Sequence, residues 1–181
     1  MNREIYLSNE RISLAEYVND ADAPAVYACW QDEETASGYN YRITDTYEEF
    51  HNRQIRSRFL AVILRNTDRE VIGLVSLSPE NMPPDLAIML FRPFRGHGYG
   101  TAAFALALQY CFDTFGLSEI YAGCYAHNIR SMKMLQKCGF IPHPEGDQEE
   151  AHYLDGSPVI QRDFVKYRQK RKNQELYKRN S

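Results

Sequence analysis

Three glycines alternate at positions 96, 98 and 100 of RPFRGHGYGTAAFALALQYCF, directly before an alanine-rich apolar run. A helix N-terminus presents unpaired N–H groups and the positive end of the helix dipole. Glycines just ahead of it let an anion approach the backbone without Cβ atoms in the way. Phosphate is the anion that suits such a cradle. The dinucleotide pattern G-x-G-x-x-G would need glycine where Thr101 stands, and the best candidate for its acidic partner, Glu119, opens a strand instead of ending one. The P-loop pattern fails because no lysine follows the glycines. A kinase glycine loop joins two strands, whereas a helical pattern follows here.

What fits is R-x-x-G-x-G, written Arg95-Gly96-His97-Gly98-Tyr99-Gly100, between a strand and a helix. A second pattern lies downstream in NIRSMKMLQKCGF, residues 128–140. It reads N-x-x-[AS]-x-x-hydrophobic-x-x-K-x-G-F, with Asn128, Ser131, Lys137, Gly139 and Phe140 in register. Together these motifs resemble the GNAT superfamily of acetyl-CoA-dependent N-acetyltransferases. Ser131 and the ending with Asp163 look most like the branch that includes ribosomal-protein N-terminal and polyamine acetyltransferases. The specific motifs cover residues 85–140.

The resemblance implies acetyl-CoA as co-substrate and a primary amine as acceptor, with direct transfer in a ternary complex. It places the pyrophosphate on backbone N–H groups of Arg95, Gly96, His97, Gly98, Tyr99, Gly100 and Thr101. It lays the pantetheine arm along residues 87–91, where an N–H among Met89, Leu90 and Phe91 would polarise the thioester carbonyl as an oxyanion hole does. Asn128, Arg130 and Ser131 would reach the cofactor from the next helix. Asp85 matches the position of an acidic general base that works through water, with Glu80 and then His97 and His127 as alternatives. The tyrosine that many members carry seven residues after the Asn is Leu135 here. The proton donor therefore stays open between Ser131, Tyr125 and water. Cys124 and Cys138 read as buried thiols, not as acetyl carriers. Related folds often pair, so a homodimer is an expectation. The competing reading is a non-catalytic acyl-CoA-binding or sensor module.

The elements that must position these residues are legible in outline. Ile5/Leu7 and Ile12/Leu14 alternate as strand. Helices are expected after Asp20 or Asp22, with Pro24 in the first turn, and after Thr46, where Glu49 completes a capping-box spacing. FLAVILRN, VIGLVSLS and LAIMLF read as three strands of an antiparallel meander. A buried helix from Thr101 to Phe115 stops at Gly116, and SEIYAGCYA is a strand. A short helix runs from Asn128 to Gly139, and a last strand lies near VIQRDFVKY. The expected order is βααβββαβαββ: an α+β fold, one GNAT-like domain over residues 1–167. Its mixed, mostly antiparallel central sheet is flanked by helices. Residues 168–181 form a basic tail, read as a solvated segment.

The acceptor site is expected around residues 32–46, 79–84 and 144–156. These carry Asp32, Glu33, Glu34, Glu145, Asp147, Glu149 and Glu150 with Tyr39, Tyr41 and Tyr47, a composition suited to a cationic amine. A formal net charge of −3 over 181 residues argues against nucleic acid as the main ligand. Four widely spaced cysteines without a CxxC pair point to reduced thiols in a cytoplasm and to no metal site. No uninterrupted apolar run reaches membrane-spanning length.

Overall fold

A computed structural model describes residues 2–53 and 55–169. The expected basic tail lies, from residue 170 onward, outside the described residues. The first sheet is a five-stranded antiparallel meander in sequential order. It comprises β1 (Ile5–Ser8), β2 (Ile12–Glu16), β3 (Phe59–Arg65), β4 (Val71–Leu77) and β5 (Leu86–Leu90). The second sheet is four-stranded. In it β9 (Pro158–Tyr167) pairs with β6 (Glu119–Tyr125) on one side, and with β7 (Ile141–Pro142) and β8 (Gln148–Ala151) on the other. Helices α1 (Asn19–Trp30), α2 (Glu33–Tyr39) and α3 (Tyr47–Asn52) link β2 to β3. Helix α4 (Tyr99–Phe115) crosses from β5 to β6, and α5 (Ile129–Lys137) follows β6.

The two sheets touch through one parallel bridge, Asp85 to Tyr121, beside which the Tyr121 N–H donates to the Pro84 carbonyl at 2.8 Å. Beyond that point β5 and β6 carry no ladder between them. Side-chain parity then divides the joint into two faces. Leu86, Ile88 and Leu90 of β5 and Ile120, Ala122 and Cys124 of β6 join the core under α4 and α5. Met89 packs instead with Val26 and Cys29 of α1, so Asp85 and Ala87 share that opposite face. Strand β3 reads as an unbroken apolar run because both of its faces are covered: Ala61 and Ile63 enter one cluster, Val62 and Leu64 another. Helix α4 is apolar nearly all round for the same reason, with Ala103, Phe104, Ala107 and Cys111 buried in the main core.

Three elements depart from the expected order. The N-terminal strand is a hairpin, turned where Asn9 Oδ1 accepts the N–H groups of Arg11 and Ile12. Helix α2 is an additional short helix. Its sequence, EETASGY, has no apolar period, and it is defined by the Asp32 cap on the Thr35 N–H and by the left-handed Asn40 that ends it. Strand β8, QEEA, has no apolar alternation and exists by pairing with β9. Among the described residues no helix is long and apolar enough to cross a membrane.

Gly73 shows how closely the cleft-side strands approach: a Cβ there would lie 2.2 Å from the Met89 carbonyl oxygen and 3.0 Å from Leu90 Cα. Gly73→Ala should therefore destabilise the protein by about 1–3 kcal/mol through displacement of β5, read as a lower urea midpoint. An unchanged midpoint would mean that β5 adjusts freely.

Candidate active site

The parting of β5 from β6 opens a cleft of about 540 Å³. The glycine loop lies at one end and Asp85, at the joint, at the other; Gly123, Tyr125 and Gln161 line the wall formed by β6 and β9, and Thr35, Gly38 and Tyr39 of α2 close over it. Leu135, only 1% exposed, fills part of its floor with an apolar side chain that carries no proton.

In the loop, Gly96 (φ 83°) and Gly98 (φ 80°) are left-handed, and Gly98 caps the start of α4. A Cβ placed on Gly96 would meet nothing within 4 Å, so the space above the loop backbone is open to a ligand. The loop is braced from behind by Arg11. Its Nη2 donates to the His97 carbonyl at 2.9 Å and its guanidinium lies 4.7 Å from the centre of the Tyr99 ring. His97 and Tyr99 accordingly do not line the cleft, whereas Arg95, Gly96, Gly98, Gly100 and Thr101 do.

The Arg95 guanidinium is engaged in clamping α2 to the end of β5. It donates to the Leu90 carbonyl (2.9 Å), Asp32 Oδ2 (2.7 Å), Glu34 Oε2 (2.8 Å) and Thr35 Oγ1 (2.7 Å). Burial would raise the Asp32 carboxyl, but the hydrogen bonds from Arg95 and Thr35 outweigh it and hold the group below the ordinary range. Glu34 also pairs with Arg130, so one carboxylate joins both arginines at the mouth of the cleft. What the loop offers an anion is its backbone and the end of α4.

Along β5 the backbone alternates. The Asp85 carbonyl accepts from the Ser78 N–H, and the Phe91 N–H donates to the Ile72 carbonyl, both at 2.9 Å. The intervening residues turn to the cleft, where the Ile88 carbonyl accepts from Tyr39 Oη at 2.6 Å and the Leu90 carbonyl from Arg95. The donors that face the cleft thus belong to Ile88 and Leu90. Met89 lines it by side chain only, and Phe91 stands outside it. This corrects the expectation of a donor at Met89 or Phe91, and the reason is the period of two in a strand.

On the facing wall Asn128 caps α5 through the Ser131 N–H (3.1 Å) and turns Nδ2 toward Gly38, where a Cβ would lie 3.3 Å away. Ser131 and Arg130 line the cleft, as do Lys133 and Lys137, which the motifs left without a role. Among the described residues neither lysine has an ion-pair partner. Their spacing from Arg130 (i, i+3, i+7) was the available signal.

Asp85 stands at the opposite end. It is exposed at its surface, yet the cleft walls around it desolvate the carboxyl, and this together with the nearby Asp163 pushes its pKa up to about 6. The alternative bases stand elsewhere. The Glu80 carbonyl holds Arg58, His97 faces away, and His127 Nε2 lies 3.2 Å from Ser37 Oγ; none of the three lines the cleft. Cys124 lines it, but burial pushes its thiol up to about 11. Tyr125 Oη donates to Glu150 Oε2 at 2.6 Å, and its proton is held more tightly still.

A cleft between two parting parallel strands, with an anion-binding helix start at one end and a high-pKa carboxyl at the other, defines an acyl-transfer fold of the acyl-CoA-using kind. The family model for the acetyltransferase (GNAT) domain matches residues 11–141, and the chain belongs to that family. Among relatives, the spermidine N(1)-acetyltransferase of Vibrio cholerae is 26% identical over 123 residues, covering 64% of this chain and 68% of the relative. The solved structure of spermidine N-acetyltransferase from Vibrio cholerae with CoA and spermine superposes with a TM-score of 0.75 at 18% identity, covering 88% of this chain and 96% of that one. The acetyltransferase from Salmonella typhimurium that modifies the N-terminal serine of ribosomal protein L7/L12 gives 0.72 at 15% identity, covering 92% and 100%.

Acetyl-CoA is the co-substrate of this family, and the open backbone above Gly96, the cleft-facing edge of β5 and the two unpaired lysines fit its phosphates and arm. Gly98→Glu should abolish CoA binding in calorimetry while circular dichroism stays native, because a side chain on the left-handed Gly98 strains the loop backbone and its Cβ would stand 3.3 Å from Arg11 Nη1, the group that braces the cradle. Unchanged affinity would remove the loop from the site.

Proposed function

We propose that the protein acetylates a cationic primary amine, with Asp85 as general base and Ser131 as proton donor. The observation that carries this reading is the placement of a carboxyl with a pKa near 6 at the far end of the cleft from the glycine loop. Bound acetyl-CoA would supply the activated acetyl group, its carbonyl carbon forming the new N–C bond as the C–S bond breaks. The N–H groups of Ile88 and Leu90 face the position where that carbonyl would gain negative charge.

An amine reaches the cleft as an ammonium and must lose a proton before it can attack. Asp85, ionised above about pH 6, takes that proton through a water. The leaving sulfur needs a proton less urgently, since an ordinary thiol ionises near pH ~8.5. Ser131, in the first turn of α5 on the cleft wall, is the hydroxyl placed to relay to it the second proton that the nitrogen sheds as the N–C bond forms. Asp85, Glu150 and Asp163 give the acceptor end a negative potential, which favours a polyamine or the N-terminus of a protein over a neutral amine. The four cysteines of the chain are free and buried, in keeping with a cytoplasmic setting.

The test is thiol release from acetyl-CoA across spermidine, aminoglycosides and peptides with free N-termini. Release with at least one cationic amine is the expected result. Tight CoA binding with no amine-dependent release would identify a non-catalytic acyl-CoA-binding module. In kcat/KM the wild type should show an acid limb near pH 6, rate falling as pH drops and Asp85 protonates. Asp85→Asn should lose that limb together with at least about 100-fold in rate. A retained limb would assign the base elsewhere.

A further inference from the structure

We propose that Asp163 is a positioning residue for the reaction: an unneutralised carboxylate, fixed by two glutamine amides, that acts through space on Asp85. The inference rests on the reading of Asp85 as base.

Register places the two groups together. Asp85 bridges Tyr121, and across β6 and β9 Tyr121 pairs with Val165, Gly123 with Asp163 and Tyr125 with Gln161. Paired residues share a face, so Asp85, Gly123, Asp163 and Gln161 all lie on the side away from the α4–α5 core. Gln148 of β8 pairs with Gln161 and joins them. Gly123 is the gap in this face: a Cβ there would stand 3.2 Å from Asp163 Oδ1 and 3.1 Å from Gln161 Nε2. With no side chain at 123, the Asp163 and Gln161 side chains fill the space above it, on the strand that Asp85 bridges.

Asp163 is held but not neutralised. Gln161 Nε2 donates to Oδ1 at 3.0 Å and Gln148 Nε2 to Oδ2 at 2.8 Å. Both donors are uncharged, so they hold the carboxyl in place without setting a positive charge beside it. Among the described residues no cation pairs with it. Neighbouring Arg162 points to the opposite face and meets Asp147 at 3.5 Å.

Tyrosines, a histidine and further carboxylates share this face, with Glu119 and Glu145 acting on Tyr121 and Glu150 on Tyr125. Tyr39 from α2 donates to the Ile88 carbonyl, Tyr121 of β6 to Glu119, and Tyr125 to Glu150 of β8. His143, after β7, stands edge-on to the Tyr121 ring. The three phenols hold their protons more tightly than usual and stay neutral across the working range. Glu119 and Glu150 accept from two of these phenols, and Asp163 is the carboxylate that bears on Asp85 across Gly123; a base with higher proton affinity accepts the proton of an ammonium more readily.

The test compares wild type with Asp163→Asn, which keeps shape and one hydrogen-bond acceptor. Two readouts are taken: kcat/KM against pH, and the titration of the Asp85 carboxyl by carbon-13 NMR in the ligand-free protein. In the variant Asp85 should titrate at lower pH. The ratio of variant to wild-type rate should rise as pH falls below 6, with CoA affinity unchanged. An unmoved Asp85 titration with a rate ratio constant in pH would reduce Asp163 to a structural role and overturn the proposal. Should the variant fold poorly, Gln148→Lys sets an ammonium beside an intact Asp163 at an exposed position. It should lower the Asp85 titration in the same direction, and no movement there overturns the proposal too. Failure of the base reading is separable: Asp85→Asn would keep the acid limb even if the NMR coupling between the aspartates were found.

Discussion

Strands β5 and β6 run side by side but are joined at one end only, by the bridge between Asp85 and Tyr121. Every functional feature depends on that single joint. Had the ladder continued, the edge groups of Ile88 and Leu90 would be spent on β6 and the sheet would be closed. Because it stops, an edge is left inside the molecule, where unsatisfied backbone groups are costly unless something pairs with them. Tyr39 and Arg95 satisfy two carbonyls, and an extended ligand lying in the cleft would meet the N–H groups. The joint also fixes Asp85 at the vertex, since it is itself the bridging residue.

The electrostatics follow from the same geometry. One end of the cleft carries the start of α4 and the lysines of α5, and the other carries carboxylates. A ligand with phosphates at one end and an ammonium acceptor at the other meets a complementary field along the whole length. Helix α2 spans the opening between them, held at its start by Arg95 and at its end by Tyr39 and the packing of Gly38 on Asn128. Glu34 ties Arg95 to Arg130, so the covering helix and the wall of the cofactor end are joined by one carboxylate.

Much of this was legible in the chain. The glycines and the Asn128–Phe140 block identified the loop, the helix and the family, because anion binding and close helix packing impose residue types at fixed spacings. The meander and α4 were legible because apolar runs buried on both sides leave an unmistakable pattern. Helix α2 was missed because its identity lies in a cap and an arginine 60 residues away in the chain, not in any period. Strand β8 was missed because pairing with β9, and not burial, makes it a strand. Which β5 amides face the cleft depends on register, and a shift of one residue separates Met89 from Ile88. The approach of Asp163 and Gln161 over Gly123 was invisible for a related reason: a glycine in a strand gives no hint of which side chains approach it from the next strand.

The central claim is that the parted strands form the transfer site, and the position of the cofactor thiol tests it most directly. In a crystal structure of the protein with CoA, the expected result is pyrophosphate on the backbone of residues 96–101. The arm should lie hydrogen-bonded to Ile88 and Leu90, with the sulfur between β5 and β6 on the side that opens to Asp85. A thiol lying outside the cleft, or an arm that leaves the β5 edge untouched, would contradict it.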